Sequence, residues 1–129
     1  MTDADFRALL LQLADGWHRR DYAAVARHFS IDVRYGDPMR YALRGRDELL
    51  AFFTNDDGVA QHVSWHTVIF DDQRQQGAAE YTYQGTHQYH GTVLVRIEGG
   101  MITHWREYQH IDPRSWHDFA GDTRFPEDS

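Results

Sequence analysis

The chain of 129 residues is 41% hydrophobic and 14% aromatic, which is typical of a single folded domain and argues against a disordered chain. Its 20 acidic residues exceed its 13 basic ones, all of them arginine, and the net charge of -7 argues against nucleic acid as a partner. Because the chain contains neither lysine nor cysteine, Schiff-base chemistry, thiol nucleophiles, disulfides and thiolate metal sites are excluded.

No stretch of the sequence is long and apolar enough for a membrane span, so no membrane partner is expected. The start is acidic, with Asp3 and Asp5, whereas a signal peptide begins with basic residues. We therefore predict a cytoplasmic protein; the alternative is a mature secreted protein whose leader has been removed. Without internal repeats or low-complexity segments, the sequence predicts one domain over residues 1–129, with a core at about 5–119 and a tail at 120–129.

Helical signals fill the first half of the chain. Apolar residues recur there at steps of three and four, which predicts a helix with one buried stripe and a cap at Thr2 or Asp3. Asp21 is the expected cap of a second helix. After a short strand at 31–35, a third helix is predicted over 46–53. The stripe of the first helix consists of Phe6, Leu9, Leu10, Leu13 and Trp17.

Four strand-like segments follow, at about 61–71, 76–86, 89–98 and 101–111. The short connections between them favour antiparallel pairing of consecutive strands. Helices followed by such a sheet predict an α+β fold. We expect a curved, mostly antiparallel sheet that wraps around the N-terminal helices as a cone and leaves a cavity between the two layers.

Alternation along these strands predicts two sheet faces with different coverings, because successive residues of a strand point to opposite sides. One predicted face mixes tyrosine with arginine, a combination enriched at protein interfaces. We assign this outer face to a homodimer contact; the alternative is an exposed aromatic cluster. The residues of the face are Tyr81, Tyr83, Arg96, Arg106 and Tyr108.

The other face carries carboxylates among apolar residues, and we predict that Asp37, Glu107 and Glu80 point into the cavity with Tyr35. A carboxyl group in an apolar cavity has a raised pKa, which a second carboxylate raises further. Such a group can donate or accept a proton near neutral pH. The alternative is that the glutamates pair with arginines or backbone donors and only line a polar cavity. His66 is a further possible base, although the strand pattern leaves its direction open.

Four segments of the chain carry a resemblance to a known family. They are Asp21-Tyr22, Tyr35-Gly36-Asp37-Pro38, Gly45-Arg46-Asp47-Glu48-Leu49 and Gly100-Met101-Ile102-Thr103-His104-Trp105-Arg106-Glu107-Tyr108. In order and spacing they resemble the SnoaL-like, nuclear-transport-factor-2-like superfamily over about residues 5–119. The resemblance implies a cystatin-like α+β cone, usually dimeric, with a pocket between sheet and helices. Its members include ketosteroid isomerase, limonene epoxide hydrolase, scytalone dehydratase and polyketide cyclases, so the fold leaves the reaction open.

The resemblance also suggests roles for single residues. Asp37 is similar in position to the proton-shuttling aspartate of ketosteroid isomerase, but the oxyanion donors of that enzyme fall at Leu13 and Val93, which cannot donate. The resemblance to scytalone dehydratase is also partial, because His66 matches one of its histidines while its aspartate falls at His18.

Limonene epoxide hydrolase resembles the chain differently. Its aspartate in a Trp-Arg-Asp-Tyr segment corresponds to Glu107, and its water-holding tyrosine and asparagine correspond to Tyr35 and Asp37. Its Arg-x-Asp pair becomes Glu80-x-Thr82, so the acid that activates the epoxide is missing. The resemblance therefore carries no single mechanism over intact.

Our leading hypothesis is a homodimer that binds a small apolar, oxygenated molecule in each subunit. It would perform acid–base chemistry without a cofactor: isomerisation, dehydration, cyclisation or hydrolysis. Asp37 is the expected general base, Glu107 its acid or water-holding partner, Tyr35 a hydrogen-bond donor and His66 a supporting base. The expected substrate-binding residues are Trp105, Phe53, Glu80, Thr82, Val93, Val95 and Trp17.

Two other functions remain open at this point. One is a non-catalytic ligand-binding or association module of the same fold. The other is a metal-dependent enzyme, suggested by the nine histidines. His62 and His66 lie four apart on a strand and are therefore separated by about 13 Å, too far for one ion. We assign no metal ligands.

Overall fold

The computed structural model describes residues 1–127 and begins with α1 (Asp3–Arg19), followed by α2 (Tyr22–Ala26). A capping box starts α1: the Thr2 side chain accepts from the Asp5 N–H at 3.1 Å, and the Asp5 carboxylate accepts from the Thr2 N–H at 3.0 Å. The predicted stripe of α1 is buried along its whole length. The Asp21 side chain caps α2, as predicted, by accepting from the Ala24 N–H at 3.2 Å.

The remaining chain forms one sheet, one further long helix and a C-terminal helix. The elements are β1 (Phe29–Asp37), β2 (Tyr41–Arg44), α3 (Arg46–Thr54), β3 (His62–Asp71), β4 (Gln76–Gln84), β5 (Gln88–Glu98), β6 (Met101–Ile111) and α4 (Trp116–Ala120). The strand order is β2-β1-β6-β5-β4-β3, and every neighbouring pair is antiparallel except β1 and β6. The predicted α+β class with a mostly antiparallel sheet is therefore confirmed. The sequence reasoning missed β2, a four-residue strand directly after a turn.

The core lies between α1 and the inner face of the sheet. Phe6 stacks on Phe70 with ring centroids 4.7 Å apart. Gly77 faces this pair, and a Cβ at that position would lie 2.7 Å from the Phe6 ring. Only glycine therefore lets α1 approach β4 this closely. Among residues 1–127, no helix is long and apolar enough to cross a membrane.

Two β-bulges set which side chains reach the inner face. In β3 the register against β4 shifts between Trp65 and Val68. In β6 the register against β5 shifts between Ile102 and His104, which pair with the consecutive residues Ile97 and Arg96. An extra residue in one strand reverses the alternation beyond it. Ile102 and Trp105 are consequently both buried, although strict alternation places them on opposite faces.

Candidate functional site

A cavity of about 240 Å³ lies between the inner face of the sheet and the helices. Most of its wall is aromatic, and its polar groups come from every strand except β3 and from the loops at Arg40 and Gln61. A pocket that is mostly apolar with a few polar groups is the usual form of a small-molecule site. The lining residues are Trp17, Tyr35, Arg40, Tyr41, Phe52, Phe53, Gln61, Val63, Trp65, Tyr81, Tyr83, Tyr89, Trp105, Glu107 and Gln109.

Glu107 is the carboxylate of this cavity. Its Oε1 accepts from the Tyr35 hydroxyl at 2.9 Å and from the Trp105 indole N–H at 2.8 Å. Its Oε2 accepts from the Tyr41 hydroxyl. The side chain is 8% exposed and has no arginine partner among its hydrogen bonds, so three neutral donors hold it in place.

Burial raises the pKa of Glu107 above its ordinary value of 4.5, and the nearby charge of Asp37 acts in the same direction. The hydrogen bonds from Tyr41, Trp105 and Tyr35 act against this effect without cancelling it. A carboxylate with a raised pKa, held in a fixed orientation, accepts a proton more readily than an exposed carboxylate does.

The tyrosines around Glu107 keep their hydroxyl protons. Burial raises the pKa of Tyr35, Tyr41 and Tyr81 well above the ordinary value of 10.0, and the charge of Glu107 adds to the shift in each case. Burial also raises the pKa of Tyr83, to about 12. These four phenols are therefore neutral hydrogen-bonding groups and do not act as bases.

Asp37 lies beside the cavity and does not line it. Its Oδ2 accepts from Arg40 Nη1 at 2.8 Å, and its Oδ1 accepts from the Met39 N–H at 2.9 Å. Oδ2 also accepts from the Gln109 amide at 3.3 Å. The carboxylate, 2% exposed, is therefore committed to an ion pair and two further donors.

Gln109 connects Asp37 to the cavity wall. Its Oε1 accepts from the Tyr81 hydroxyl at 2.5 Å, while its amide nitrogen faces Asp37. Gly91 lies between Tyr81 and Gln109 in the sheet, and a Cβ there would lie 2.9 Å from the Tyr81 hydroxyl and 2.7 Å from the Gln109 Cβ. Because Gly91 has no side chain, the Tyr81 hydroxyl and the Gln109 side chain can meet above it.

A family model for the SnoaL-like domain matches residues 10–105, most of the chain. The chain belongs to the SnoaL-like family. This finding confirms the resemblance from the sequence segments. No curated protein matches the chain.

Solved structures share this fold. An LEH-like epoxide hydrolase from M. tuberculosis superposes with a TM-score of 0.71 at 18% identity, over 83% of this chain and 84% of its own. A candidate ketosteroid isomerase from Kribbella flavida has a TM-score of 0.71 at 18% identity, over 98% and 95%. A candidate polyketide cyclase from Xanthomonas campestris has a TM-score of 0.72 at 16% identity, over 92% and 96%. At these identities the likeness establishes the fold alone.

The SnoaL-like cavity contains part of the predicted site. Trp17, Phe53 and Trp105 line it together with Tyr35 and Glu107. Val93 and Val95 also lie on the inner face, but they are 0% and 3% exposed and belong to the core rather than the cavity lining.

Glu80 and Thr82 lie on the opposite, outer face of the sheet, so their assignment to the cavity was wrong. His66, whose direction the strand pattern left open, also points outward. Thr82 and His66 hydrogen-bond to each other at 2.7 Å, and His66 stacks on Trp116 of α4 with ring centroids 4.2 Å apart. Glu80 lines a separate, shallow depression beside α4. The physical reason is the pairing register of β4. Tyr81 is opposite Gly91 of β5, which is opposite Gln109 of β6, so the odd-numbered residues of β4 lie on the inner face of the sheet.

The same register corrects the predicted outer face. Tyr81 and Tyr83 line the cavity and do not belong to an outer contact surface. Arg96, Arg106 and Tyr108 do point outward. Sequence reasoning therefore missed both tyrosines as site residues, along with Tyr41, Arg40 and Gln109. Tyr81 and Tyr83 could have been identified as cavity residues only with the correct pairing register of β4.

Within residues 1–127, no group of three histidine, aspartate or glutamate side chains is close enough to hold a metal ion. His90 illustrates why the histidines do not converge. Its Nδ1 lies 2.9 Å from the Thr82 hydroxyl and its Nε2 lies 2.7 Å from the Arg114 carbonyl, so both ring nitrogens bind protein groups.

Proposed function

We propose that this protein is a cofactor-free acid–base enzyme that acts on a small, largely apolar, oxygenated molecule, with Glu107 as the general base. The observation that supports it is the position of Glu107: a carboxyl group with a raised pKa, fixed by three donors, in the wall of an aromatic cavity. The related structures include an epoxide hydrolase and candidate members of two other acid–base enzyme classes, which supports the reaction type.

Glu107 replaces Asp37 as the proposed base because the two carboxylates have different partners. Asp37 is neutralised by Arg40 and lies outside the cavity lining, whereas Glu107 borders the cavity and has only neutral donors. Transfer of a proton from a bound water or a substrate O–H to Glu107 removes a buried negative charge. Tyr35 and Tyr41 hold the carboxylate in position for that transfer.

A second candidate function is ligand binding without catalysis. It is favoured by the composition of the wall, since ten of the fifteen lining residues are aromatic. Such a wall binds an apolar molecule by burial alone. In this case Glu107 contributes only polarity.

Replacement of Glu107 by glutamine separates the two functions. The substrates tested are cyclohexene oxide for hydrolysis and 4-hydroxy-4-phenylbutan-2-one for dehydration, with products measured by gas chromatography. If Glu107 is the base, Glu107→Gln lowers turnover by about 10²- to 10⁴-fold. Glu98→Gln is the matched control, because Glu98 is an exposed carboxylate at the β5–β6 turn.

Equal turnover in the wild type and Glu107→Gln contradicts the assigned base. Binding of both compounds without any turnover favours the second candidate. Thermal melting of each variant shows whether the fold is retained.

We also propose that the protein is a homodimer through the outer face of the central strands. Leu94 and Arg106 are directly opposite each other on β5 and β6, and Tyr108 is 50% exposed. The Arg106 guanidinium lies 5.7 Å from the centre of the Tyr108 ring. An exposed apolar and aromatic surface with arginine is typical of protein interfaces.

A further inference from the structure

The direction of the hydrogen bonds in the cavity wall limits which ligand the pocket accepts. Each hydroxyl or amide can offer either a proton or a lone pair to a ligand, and the choice depends on its other partner. In this wall, carboxylates determine that choice: Asp37 and Asp56 outside the lining, and Glu107 within it.

Asp37 forms an ion pair with Arg40, whose Nη1 lies 2.8 Å from Asp37 Oδ2. Its oxygens can then only accept hydrogen bonds. The group of Gln109 that faces Asp37 must therefore be the amide N–H₂, and the amide oxygen must face Tyr81. The Tyr81 hydroxyl gives its proton to that oxygen, which leaves only lone pairs on Tyr81 for a ligand.

A second relay gives the same result at Tyr83. The Tyr22 hydroxyl donates to Asp56, so it can only accept from the Gln61 amide N–H₂ at 2.7 Å. The Gln61 oxygen consequently accepts from the Tyr83 hydroxyl at 3.1 Å. The proton of Tyr83 is thus also directed into the wall.

Tyr35 and Tyr41 direct their protons to Glu107. All four of these tyrosines therefore keep their hydroxyl protons for partners in the protein. Around Glu107 and Tyr81 the wall offers a carboxylate oxygen and a phenol oxygen as acceptors. Arg40, a donor, lines the cavity with a side chain that is one-third exposed.

We propose that the ligand of this pocket presents a hydrogen-bond donor, an O–H or N–H group, to Glu107 and Tyr81. This inference rests on the proposed function, because it assumes that a small molecule occupies the cavity beside Glu107, and it names the class of that molecule. A carbonyl or ether oxygen directed at the oxygens of Glu107 and Tyr81 meets lone pairs there and loses its hydrogen bonds with water. Arg40 Nη1 already donates to Asp37 and to the Gln109 carbonyl. A ligand O–H or N–H group instead exchanges its hydrogen bond with water for one to Glu107 or Tyr81.

Four compounds of one shape test the donor requirement: benzyl alcohol, benzylamine, benzaldehyde and toluene, each titrated into the wild-type protein by calorimetry. Benzyl alcohol and benzylamine are expected to bind about fivefold or more tightly than benzaldehyde, as one satisfied hydrogen bond implies. The ratio of benzylamine to benzyl alcohol then identifies whether the preferred donor is charged. Equal or tighter binding of benzaldehyde overturns the proposal.

Two variants test the relay itself. Tyr81→Phe removes one acceptor and lowers the preference for benzyl alcohol over benzaldehyde. Asp37→Asn releases the Gln109 amide to rotate, after which the Tyr81 proton can face the ligand and the preference shifts toward benzaldehyde. An unchanged preference in folded Asp37→Asn protein overturns the relay, and thermal melting establishes that each variant is folded.

The outcome is distinguishable from that of the proposed function, because it is measured by binding and not by turnover. Loss of turnover in Glu107→Gln without any donor preference overturns this inference alone. A donor preference together with turnover that is independent of Glu107 overturns the proposed general base alone.

Discussion

At the scale of single residues, the two acids that the sequence grouped together have different environments. Asp37 forms an ion pair with Arg40, while Glu107 is held by the neutral donors Tyr35, Tyr41 and Trp105. An ion pair fixes a carboxylate in its charged form, whereas burial among neutral groups favours the protonated form. This difference in partners is why we propose Glu107, rather than Asp37, as the base.

The raised pKa of Glu107 predicts a pH-dependent stability. The folded protein keeps this proton at pH values where the unfolded chain has released it, so the stabilisation is present below the ordinary pKa of 4.5 and is lost as the pH rises through the folded-state pKa. Glu107→Gln does not titrate. The free energy of unfolding of the wild type, relative to this variant, should therefore fall as the pH rises.

Urea denaturation of both proteins from about pH 4 to pH 8 measures this difference. Glu98→Gln again provides the control for loss of an exposed carboxylate. A difference between wild type and Glu107→Gln that stays constant or grows with pH contradicts the raised pKa.

At the scale of secondary-structure elements, α4 is attached to the outer face of the sheet by side chains that sequence reasoning considered for other roles. His66 stacks on Trp116, and His90 lies between Trp116 and Phe119 with ring centroids 5.8 and 4.4 Å away. Because the Arg114 carbonyl can only accept, His90 donates from Nε2 and accepts from Thr82 at Nδ1. His66 and Thr82 therefore anchor the C-terminal segment.

Trp116→Ala should detach α4 while leaving the cavity intact. The loss of the stacking contacts is expected to reduce the free energy of unfolding by about 1–3 kcal/mol, since Trp116 is only partly buried. Limited trypsin digestion should then cleave more rapidly after Arg114. Cleavage after Arg124, beyond the helix, should proceed equally in both proteins. Unchanged cleavage after Arg114 contradicts this role of Trp116.

At the scale of the whole molecule, the six-stranded sheet has a cavity on its inner face and leaves part of its outer face uncovered by helices. Leu94 and Tyr108 are 40% and 50% exposed at the centre of that outer face. Large exposed apolar side chains on central strands favour association with a second copy. The proposed homodimer would bury this surface and leave the cavity of each subunit accessible from its own side.

Leu94→Arg tests the proposed dimer by placing a second positive charge opposite Arg106. Size-exclusion chromatography with light scattering should show a wild-type particle of twice the chain mass and a monomeric variant. Leu11→Arg is the matched control, because Leu11 is 66% exposed on α1, away from the sheet. A monomeric wild type, or a dimeric Leu94→Arg protein, contradicts the assignment.

The sequence by itself determined the features that depend on local pattern. The stripe from Phe6 to Trp17 predicted α1, and alternation and turn residues predicted β3 to β6 within about two residues at each end. The alternation of the strands and the family resemblance, which depends on short segments in order, both indicated Tyr35 and Glu107 as pocket residues. The final residues of the predicted tail, 128–129, lie outside the described part of the chain.

Only the tertiary structure decided which face of β4 meets the cavity and which partners distant in sequence each acid has. Alternation shows that Glu80 and Tyr81 point in opposite directions, but it does not show which one points inward. The inward side depends on the pairing register of the strands, including the bulges in β3 and β6. This register is set by hydrogen bonds between residues that are far apart in sequence. The contact of Asp37 with Gln109 likewise depends on how β1 packs beside β6. The ion pair of Asp37 with Arg40, three residues on, is a local contact that the tertiary structure does not decide.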